Sequence, residues 1–149
     1  MSQFIKISEA ASIAFHTAAL LAQRPGELVS SREIARILGA SENHVSKVLQ
    51  RLVHGGYVTS TRGPSGGFRI KAGWQKTKLL DLYETVEGPI QPGRCLLDLP
   101  VCRGNRCALG AILHKTNDAV RKCLGGTTLV EMSKSFHPGG PAPAARRPE

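Results

Sequence analysis

Apolar positions in the first half of the chain recur at intervals of three and four residues, the period of amphipathic α-helices. Residues 8–23 carry such a stripe behind Ser8, a favourable N-cap residue. Residues 32–38 and 42–54 repeat the pattern on either side of a short turn that contains Gly39. Two short helices joined in this way are typical of a helix-turn-helix, whose second helix enters the major groove of DNA.

The polar face of the predicted helix 42–54 is rich in side chains that bind nucleic acids. Amide, hydroxyl and basic groups donate hydrogen bonds to base edges and to phosphates. The solvated face of an ordinary helical hairpin has a similar composition, so this segment alone leaves both interpretations open. The candidate DNA-binding residues of the two helices and their N-caps are Ser31, Ser41, Asn43, His44, Ser46, Lys47, Gln50 and Arg51.

A different pattern follows the glycine pair at residues 55–56. Residues 57–60 and 68–70 have the composition of short strands, and the glycine-rich turn between them predicts a β-hairpin. A hairpin directly after a helix-turn-helix is the wing of a winged helix, although a plain structural hairpin is the alternative. Arg62 and Ser65 lie among small residues at its tip, where the chain can approach a phosphate or a narrow minor groove. Both residues therefore join the candidate DNA-binding set.

The helical period returns at residues 76–87 and 108–124, and a glycine pair at 125–126 predicts a break before a short helix, 129–134. The apolar stripe of helix 108–124 is long for a small protein and needs a partner surface. Antiparallel pairing with the same helix of a second subunit would bury it, since most soluble oligomers are symmetric homodimers. Such a homodimer would place two recognition helices about one DNA turn apart. The predicted dimer-interface residues are Leu109, Ile112, Leu113, Thr116 and Val120.

These elements predict a mainly α-helical fold with a small β-hairpin wing. We expect a winged helix-turn-helix DNA-binding domain over residues 1–74. Residues 75–135 would hold a helix, a cysteine loop and the long dimerisation helix. Residues 136–149 are rich in proline, glycine and alanine and are predicted to form a disordered tail.

The charge of the chain agrees with a nucleic-acid partner. Twenty Lys and Arg against 11 Asp and Glu give a net charge of +9 at pH 7, which favours a polyanion such as a double-stranded DNA operator. Because the sequence shows no signal-peptide pattern and no apolar run of about 20 residues, we expect a cytoplasmic protein without a membrane partner. It shows no phosphate-binding glycine motif and no catalytic triad spacing, so an enzyme is not expected.

Three of the four cysteines, Cys95, Cys102 and Cys107, lie within thirteen residues of a loop-like segment. Thiolates this close in sequence can converge on one metal centre, and cysteine ligands suit zinc, copper(I) or iron–sulfur clusters. Thiols stay reduced in the cytoplasm, which favours metal or redox chemistry over structural disulfides. A structural zinc site and a reversible thiol switch both remain open on this evidence.

The chain resembles the Rrf2 family of bacterial transcriptional regulators over about residues 4–134. The resemblance rests on the helix-turn-helix, the wing tip at residues 62–68, the three-cysteine loop and the closing residues 128–131. It implies a homodimeric winged-helix transcription factor and, in members with three cysteines, an iron–sulfur cluster whose state sets DNA affinity. The resemblance matches Cys95, Cys102 and Cys107 to cluster ligands, and Ser41, Asn43, Ser46 and Arg62 to DNA-contacting positions.

The resemblance also bears on the fourth cluster ligand. In the IscR branch a histidine follows the third cysteine by three residues, but Gly110 stands there in this chain. In the NsrR branch an acidic residue in the first helix of the partner subunit completes the site, and Glu9 lies at the similar place. A favourable charge in the first turn of a helix is the alternative role of Glu9.

The missing histidine favours a 4Fe–4S cluster, with 2Fe–2S as the alternative. The resemblance thus implies a regulator, most simply a repressor, that responds to nitric oxide, redox state or iron and cluster supply. Control by a protein partner, as in some cluster-free relatives, is a further alternative.

Overall fold

The computed structural model describes residues 7–91, 95–97, 101–102 and 107–139. Within these residues it contains a two-stranded antiparallel hairpin among α-helices, which confirms the predicted fold class. No helix among them is long and apolar enough to cross a membrane. The elements are α1 (Glu9–Gln23), α2 (Ser31–Leu38), α3 (Glu42–His54), β1 (Val58–Thr61), β2 (Gly67–Ile70), a 3₁₀ helix (Trp74–Lys76), α4 (Leu79–Glu87), α5 (Ala108–Gly126) and α6 (Leu129–Ser135).

Helix α1 lies at the centre of the hydrophobic core, where it packs against α2, α3, α4, α6 and β2. Ser8 caps it as predicted, because the Ser8 hydroxyl accepts the N–H of Ala11 at 3.0 Å. At its other end, the Gln23 side-chain amide donates to the carbonyl oxygens of Ser133, at 2.5 Å, and of Phe136. The closing helix α6 is therefore fastened to the first helix.

Helices α2 and α3 form the predicted helix-turn-helix. Ser30 caps α2 by accepting the N–H of Glu33, and Ser41 caps α3 by accepting the N–H of His44, both at 3.2 Å. Gly39 ends α2 in the left-handed conformation, with φ of 64°. The inward face of α3 is buried through Val45, Val48, Leu49 and Leu52.

Strands β1 and β2 form the predicted wing, with Val58 opposite Ile70 and Thr61 opposite Gly67. The hairpin has an additional partner that the pattern of residues did not predict. Val29, just before α2, pairs with Phe68 through two backbone hydrogen bonds of 2.9 Å, one in each direction. The wing is therefore attached to the helix-turn-helix by main-chain bonds.

The glycine pair of the wing is required by close backbone contacts. A Cβ atom on Gly67 would lie 2.8 Å from the carbonyl oxygen of Val29, and one on Gly66 would lie 2.1 Å from that of Thr61. Both distances are below van der Waals contact, so any other residue would displace the neighbouring main chain. These glycines thus allow the wing to pack against the segment before α2.

Two predicted helix boundaries were wrong by more than one residue. The helix predicted for residues 76–87 begins only at Leu79, because the N–H of Leu79 bonds to Thr127 O and the N–H of Leu129 bonds to Thr77 O. This pairing keeps residues 77–78 extended. The helix predicted to end at Leu124 continues through the glycine pair to Gly126.

One hydrophobic core includes residues from both halves of the chain, among them Leu82 of α4, Leu124 of α5 and Leu129 of α6. Phe136, the first residue of the predicted tail, contacts His16 of α1 in an edge-on arrangement with ring centroids 5.3 Å apart. Residues 140–149 of that tail lie outside the described residues. The domain division proposed from the sequence stays a prediction.

Helix α6 begins with a capping box between Thr128 and Glu131. The Glu131 carboxylate accepts the Thr128 backbone N–H at 2.7 Å and its hydroxyl at 2.8 Å. The backbone bond first, and then the hydroxyl bond, lower the pKa of Glu131. The stability that this carboxylate contributes is therefore present above the ordinary pKa of glutamate and is lost as the pH falls through the lowered value.

We expect Thr128→Ala to lower the free energy of unfolding by about 1 kcal/mol, because α6 loses its N-cap side chain. Urea unfolding followed by circular dichroism measures the change. Lys134→Ala, at an exposed position of the same helix, is the control and should stay within about 0.5 kcal/mol of the unsubstituted protein. An equal loss in both variants would contradict the capping role.

Candidate functional site

The outward face of α3 presents most of the residues that the sequence selects for DNA binding. Ser41, Asn43, Lys47, Gln50 and Arg51 are exposed, and His44 and Ser46 are half-buried. The opposite face is held in the core, so the orientation of the helix is fixed. This face combines hydroxyl, amide and basic groups over the length of one recognition helix.

The N-termini of α2 and α3 are joined by a contact that sequence reasoning missed. Ser31 donates its hydroxyl hydrogen to Oε1 of Glu42 at 3.2 Å, and Nε of Arg32 lies 3.6 Å from Oε2 of the same carboxylate. Glu42 thereby orients two side chains beside the start of the recognition helix. An acidic residue in the first turn was the available signal, but it also has the ordinary role of favouring the helix dipole.

Arg62 and Ser65 are both exposed at the tip of the wing, between β1 and β2. A turn with a 3.0 Å hydrogen bond from the N–H of Gly66 to the carbonyl of Gly63 shapes this tip. The small residues leave the guanidinium of Arg62 accessible. The wing tip and the outward face of α3 are the two surfaces predicted to contact DNA.

Arg51 has a specific protein contact. Its Nη1 donates to the carbonyl oxygen of Val86, in the last turn of α4, at 2.6 Å. The side chain therefore connects the recognition helix to the helix that leads into the cysteine loop. Residue type alone could not indicate this contact, because arginine binds DNA phosphates as well as the free carbonyl groups at helix C-termini.

The three loop cysteines are accessible free thiols. Cys95 is half-buried, and Cys102 and Cys107 are exposed. The sulfur of Cys95 accepts the N–H of Leu97, and that of Cys107 accepts the N–H of Gly110, both at 3.4 Å. Cys107 is also the N-cap of α5, so its sulfur lies beside the backbone N–H groups that begin this helix.

In the described part of the chain, these cysteines are not gathered into a metal centre. Among the described residues, no three His, Cys, Asp or Glu side chains converge closely enough to hold a metal ion. Residues 92–94, 98–100 and 103–106 of the loop lie outside that description. The donor chemistry fits a soft metal or an iron–sulfur cluster, and the ligand set remains a prediction.

Glu9, the predicted fourth ligand, lies in the first turn of α1 with 70% of its side chain exposed. Its Oε2 is 3.5 Å from Nδ1 of His44, in the first turn of α3. The carboxylate is thus accessible to a second subunit and close to the recognition helix of its own subunit. The sequence did not indicate the contact of Glu9 with His44.

The outer face of α5 exposes apolar side chains. Leu109 and Ile112 are 56% and 51% exposed, whereas Leu113, Thr116 and Val120 are half-buried. Further along the helix, Leu124 enters the core of the chain itself. Leu109 and Ile112 lie one helical turn apart and form a small exposed apolar patch, which is typical of an interaction surface.

A family model described as "Rrf2: Iron-dependent Transcriptional regulator" matches residues 7–135 of the chain. Protein aau3 of Rhizobium meliloti (strain 1021) is 32% identical over 107 residues, which cover 69% of this chain and 68% of that protein. The HTH-type transcriptional regulator NsrR of Bacillus subtilis (strain 168) is 47% identical over 51 residues, covering 34% of this chain and 35% of NsrR. This second match thus spans about a third of the regulator.

The fold is similar to that of CymR (YrzC), described as the global cysteine regulator of B. subtilis. The two chains superpose with a TM-score of 0.73 at 25% identity, covering 90% of this chain and all of that one.

Proposed function

Because the chain belongs to the Rrf2 family of transcriptional regulators, we propose that an iron–sulfur cluster held by Cys95, Cys102 and Cys107 controls its affinity for a DNA operator. The protein is a DNA-binding regulator and not an enzyme. The observation that carries the finer proposal is the presence of three accessible free thiols in the segment between α4 and α5. No catalytic role is required of any residue.

DNA contact is assigned to two surfaces of the winged helix. The outward face of α3 would enter the major groove, and the wing tip would approach the adjacent phosphates or minor groove. The net charge of +9 on the chain supports DNA binding, because the neutralisation of phosphates supplies much of the affinity of DNA-binding proteins. The proposed contacts are Ser31, Ser41, Asn43, His44, Ser46, Lys47, Gln50, Arg62 and Ser65.

The donor set favours a 4Fe–4S cluster over 2Fe–2S, because Gly110 stands where an IscR-type histidine would lie. Glu9 of the partner subunit is the proposed fourth ligand. When bound, such a cluster supplies a centre that reacts with nitric oxide and oxidants and depends on iron supply. The N–H groups of Leu97 and Gly110 would stabilise the ligand sulfurs of Cys95 and Cys107.

The proposed assembly is a homodimer that pairs the apolar stripes of two α5 helices. The exposure of Leu109 and Ile112 supports this pairing, because the single chain leaves this apolar surface uncovered. A symmetric dimer presents two recognition helices to the two halves of an operator. A shared ligand set would further require α1 of one subunit to lie beside the cysteine loop of the other.

A second candidate is control without a cluster. The likeness to CymR, described as a cysteine regulator, supports a thiol switch among the loop cysteines or control through a protein partner. Exposed thiols such as Cys102 and Cys107 are accessible to oxidants. Structural zinc is the remaining metal alternative, since thiolate ligands also suit zinc.

Anaerobic purification tests these proposals together. We expect a brown protein with iron and acid-labile sulfide in equal amounts, and a native mass spectrum of a dimer carrying one cluster per subunit. Nitric oxide should then change operator affinity. A colourless protein with stoichiometric zinc, or metal-free DNA binding that peroxide abolishes and dithiothreitol restores, would refute cluster control and support the corresponding alternative.

A further inference from the structure

We infer that Arg51 is a positioning residue that couples the recognition helix to the entrance of the cysteine loop. It would act through the carbonyl group of Val86 rather than through DNA. This inference rests on the proposed function, because it concerns how the state of the loop reaches the DNA-binding face.

The first step is the contact between α3 and α4. The guanidinium of Arg51 donates to Val86 O at 2.6 Å, in the last turn of α4, where carbonyl groups lack intrahelical partners. Nearby, α3 approaches α4 so closely that a Cβ atom on Gly55 would lie 2.7 Å from Cγ2 of Thr85. A charged donor on a helix C-terminus is favourable both as a hydrogen bond and with the helix dipole. The end of α3 and the end of α4 are therefore fastened together.

The second step is the attachment of the segment that follows. Arg121 of α5 donates to the carbonyl of Ile90, and Nδ2 of Asn117 donates to the carbonyl of Gln91 at 3.3 Å. Cys95 follows Gln91 by four residues. The entrance of the cysteine loop is thus held by the same helix that carries the exposed apolar stripe.

A third contact reaches the same segment from α1. The hydroxyl of Ser8 donates to Oε1 of Glu87 at 2.5 Å, and Ser8 directly precedes Glu9. Residues 86–91 therefore receive side chains from α1, α3 and α5. We name residues 86–91 the junction segment.

Through these contacts, a displacement of the cysteine loop would be transmitted by the junction segment to the end of α3. If the loop entrance moves with the junction segment, Val86 O must either leave Arg51 or carry the end of α3 with it. Arg51 is exposed like Lys47, but its Nη1 already donates to a main-chain acceptor of its own subunit. The nearby Lys47 on the same helix is exposed and offers a matched comparison.

The experiment combines two measurements on Arg51→Met, Arg121→Met and the control Lys47→Met. Hydrogen exchange of the cluster-free protein follows the α3 amides of residues 47–54. Operator Kd is then measured for cluster-loaded and cluster-free protein at several salt concentrations. Arg121→Met also covers the case in which Arg51→Met does not fold.

We expect Arg121→Met, which alters only the α5 side of the junction segment, to accelerate exchange in α3, and Lys47→Met to leave it unchanged. Both arginine variants should reduce the ratio of the two Kd values by about 2- to 30-fold. Lys47→Met should instead weaken both forms equally and reduce the salt slope by about one.

Unchanged α3 exchange in Arg121→Met would overturn the inference. The same holds if Arg51→Met behaves like Lys47→Met, with a reduced salt slope and an unaltered Kd ratio, because Arg51 would then be a phosphate contact. If exchange responds as expected but the unsubstituted protein binds its operator equally with and without iron, the coupling stands and cluster control fails.

Discussion

Replacing Cys102 with alanine is expected to abolish iron–sulfur loading and to leave operator affinity indifferent to nitric oxide. The variant removes one of three proposed ligands, and two remaining thiolates cannot complete the site. Folding should be preserved because Cys102 is exposed and lies outside the hydrophobic core. Iron and sulfide analysis of the anaerobic protein, followed by operator titrations with and without nitric oxide, measures the result.

The matched control is Cys123→Ala, which removes an exposed thiol from α5. It should retain iron, sulfide and the response to nitric oxide. A Cys102→Ala protein that keeps both its iron and its response would refute the proposed ligand set. Loss of the cluster in both variants would instead point to a ligand set that includes Cys123.

Ile112→Glu is expected to separate the dimer and to weaken binding to a complete operator by about 10²- to 10⁴-fold. The substitution places a charge in the exposed apolar stripe of α5, where pairing would bury it without a partner. In a dimer, binding of one recognition helix holds the second close to its half-site and so raises its effective concentration there. Separate monomers lose this gain in affinity. Sedimentation and fluorescence anisotropy with complete and half operators measure the two effects.

Ala111→Glu is the control because it adds the same side chain to the exposed opposite face of α5. It should remain dimeric and bind the complete operator with at most a small loss from its added negative charge. Affinity for a single half-site should be nearly equal in the two variants. A dimeric Ile112→Glu protein would show that α5 does not form the subunit interface.

Local signals allowed the winged helix to be predicted closely. Ser8 and Ser41 cap their helices at the predicted positions, because an N-cap needs only its own hydroxyl and a nearby N–H. The pairing of Val29 with Phe68 was not predictable in this way. It consists of main-chain hydrogen bonds between distant segments, and main-chain atoms are the same for every residue type.

Tertiary contacts also explain the two wrong boundaries. Thr77 is held extended by pairing with Leu129, so the helical period of residues 77–78 did not lead to helix. At the end of α5, two glycines cost about 1 kcal/mol each relative to alanine, yet the helix continues beyond the buried side chain of Leu124. In both places tertiary contacts overrode the local signal: main-chain pairing ended one helix early, and the other continued past its buried Leu124.

The candidate site was only partly predictable for a related reason. The three loop cysteines could be identified because they are close in sequence. The exposed face of α3 could be identified from the helical period of its apolar residues. The contacts of Arg51 with Val86 and of Glu9 with His44 depend on how distant helices pack. A cluster ligand from a second subunit depends on how two subunits pack, and no local pattern of residues predicts that packing.

The hydrogen bonds between Val29 and Phe68 bear on how operators for this protein can vary. Because main-chain bonds fix the wing to the helix-turn-helix, we expect each protomer of the proposed dimer to span a stretch of base pairs of constant length. In that proposal, a signal would tilt or separate whole protomers without lengthening the stretch. Operators recognised in different states should therefore differ in the gap between their two halves and share the same half-site length.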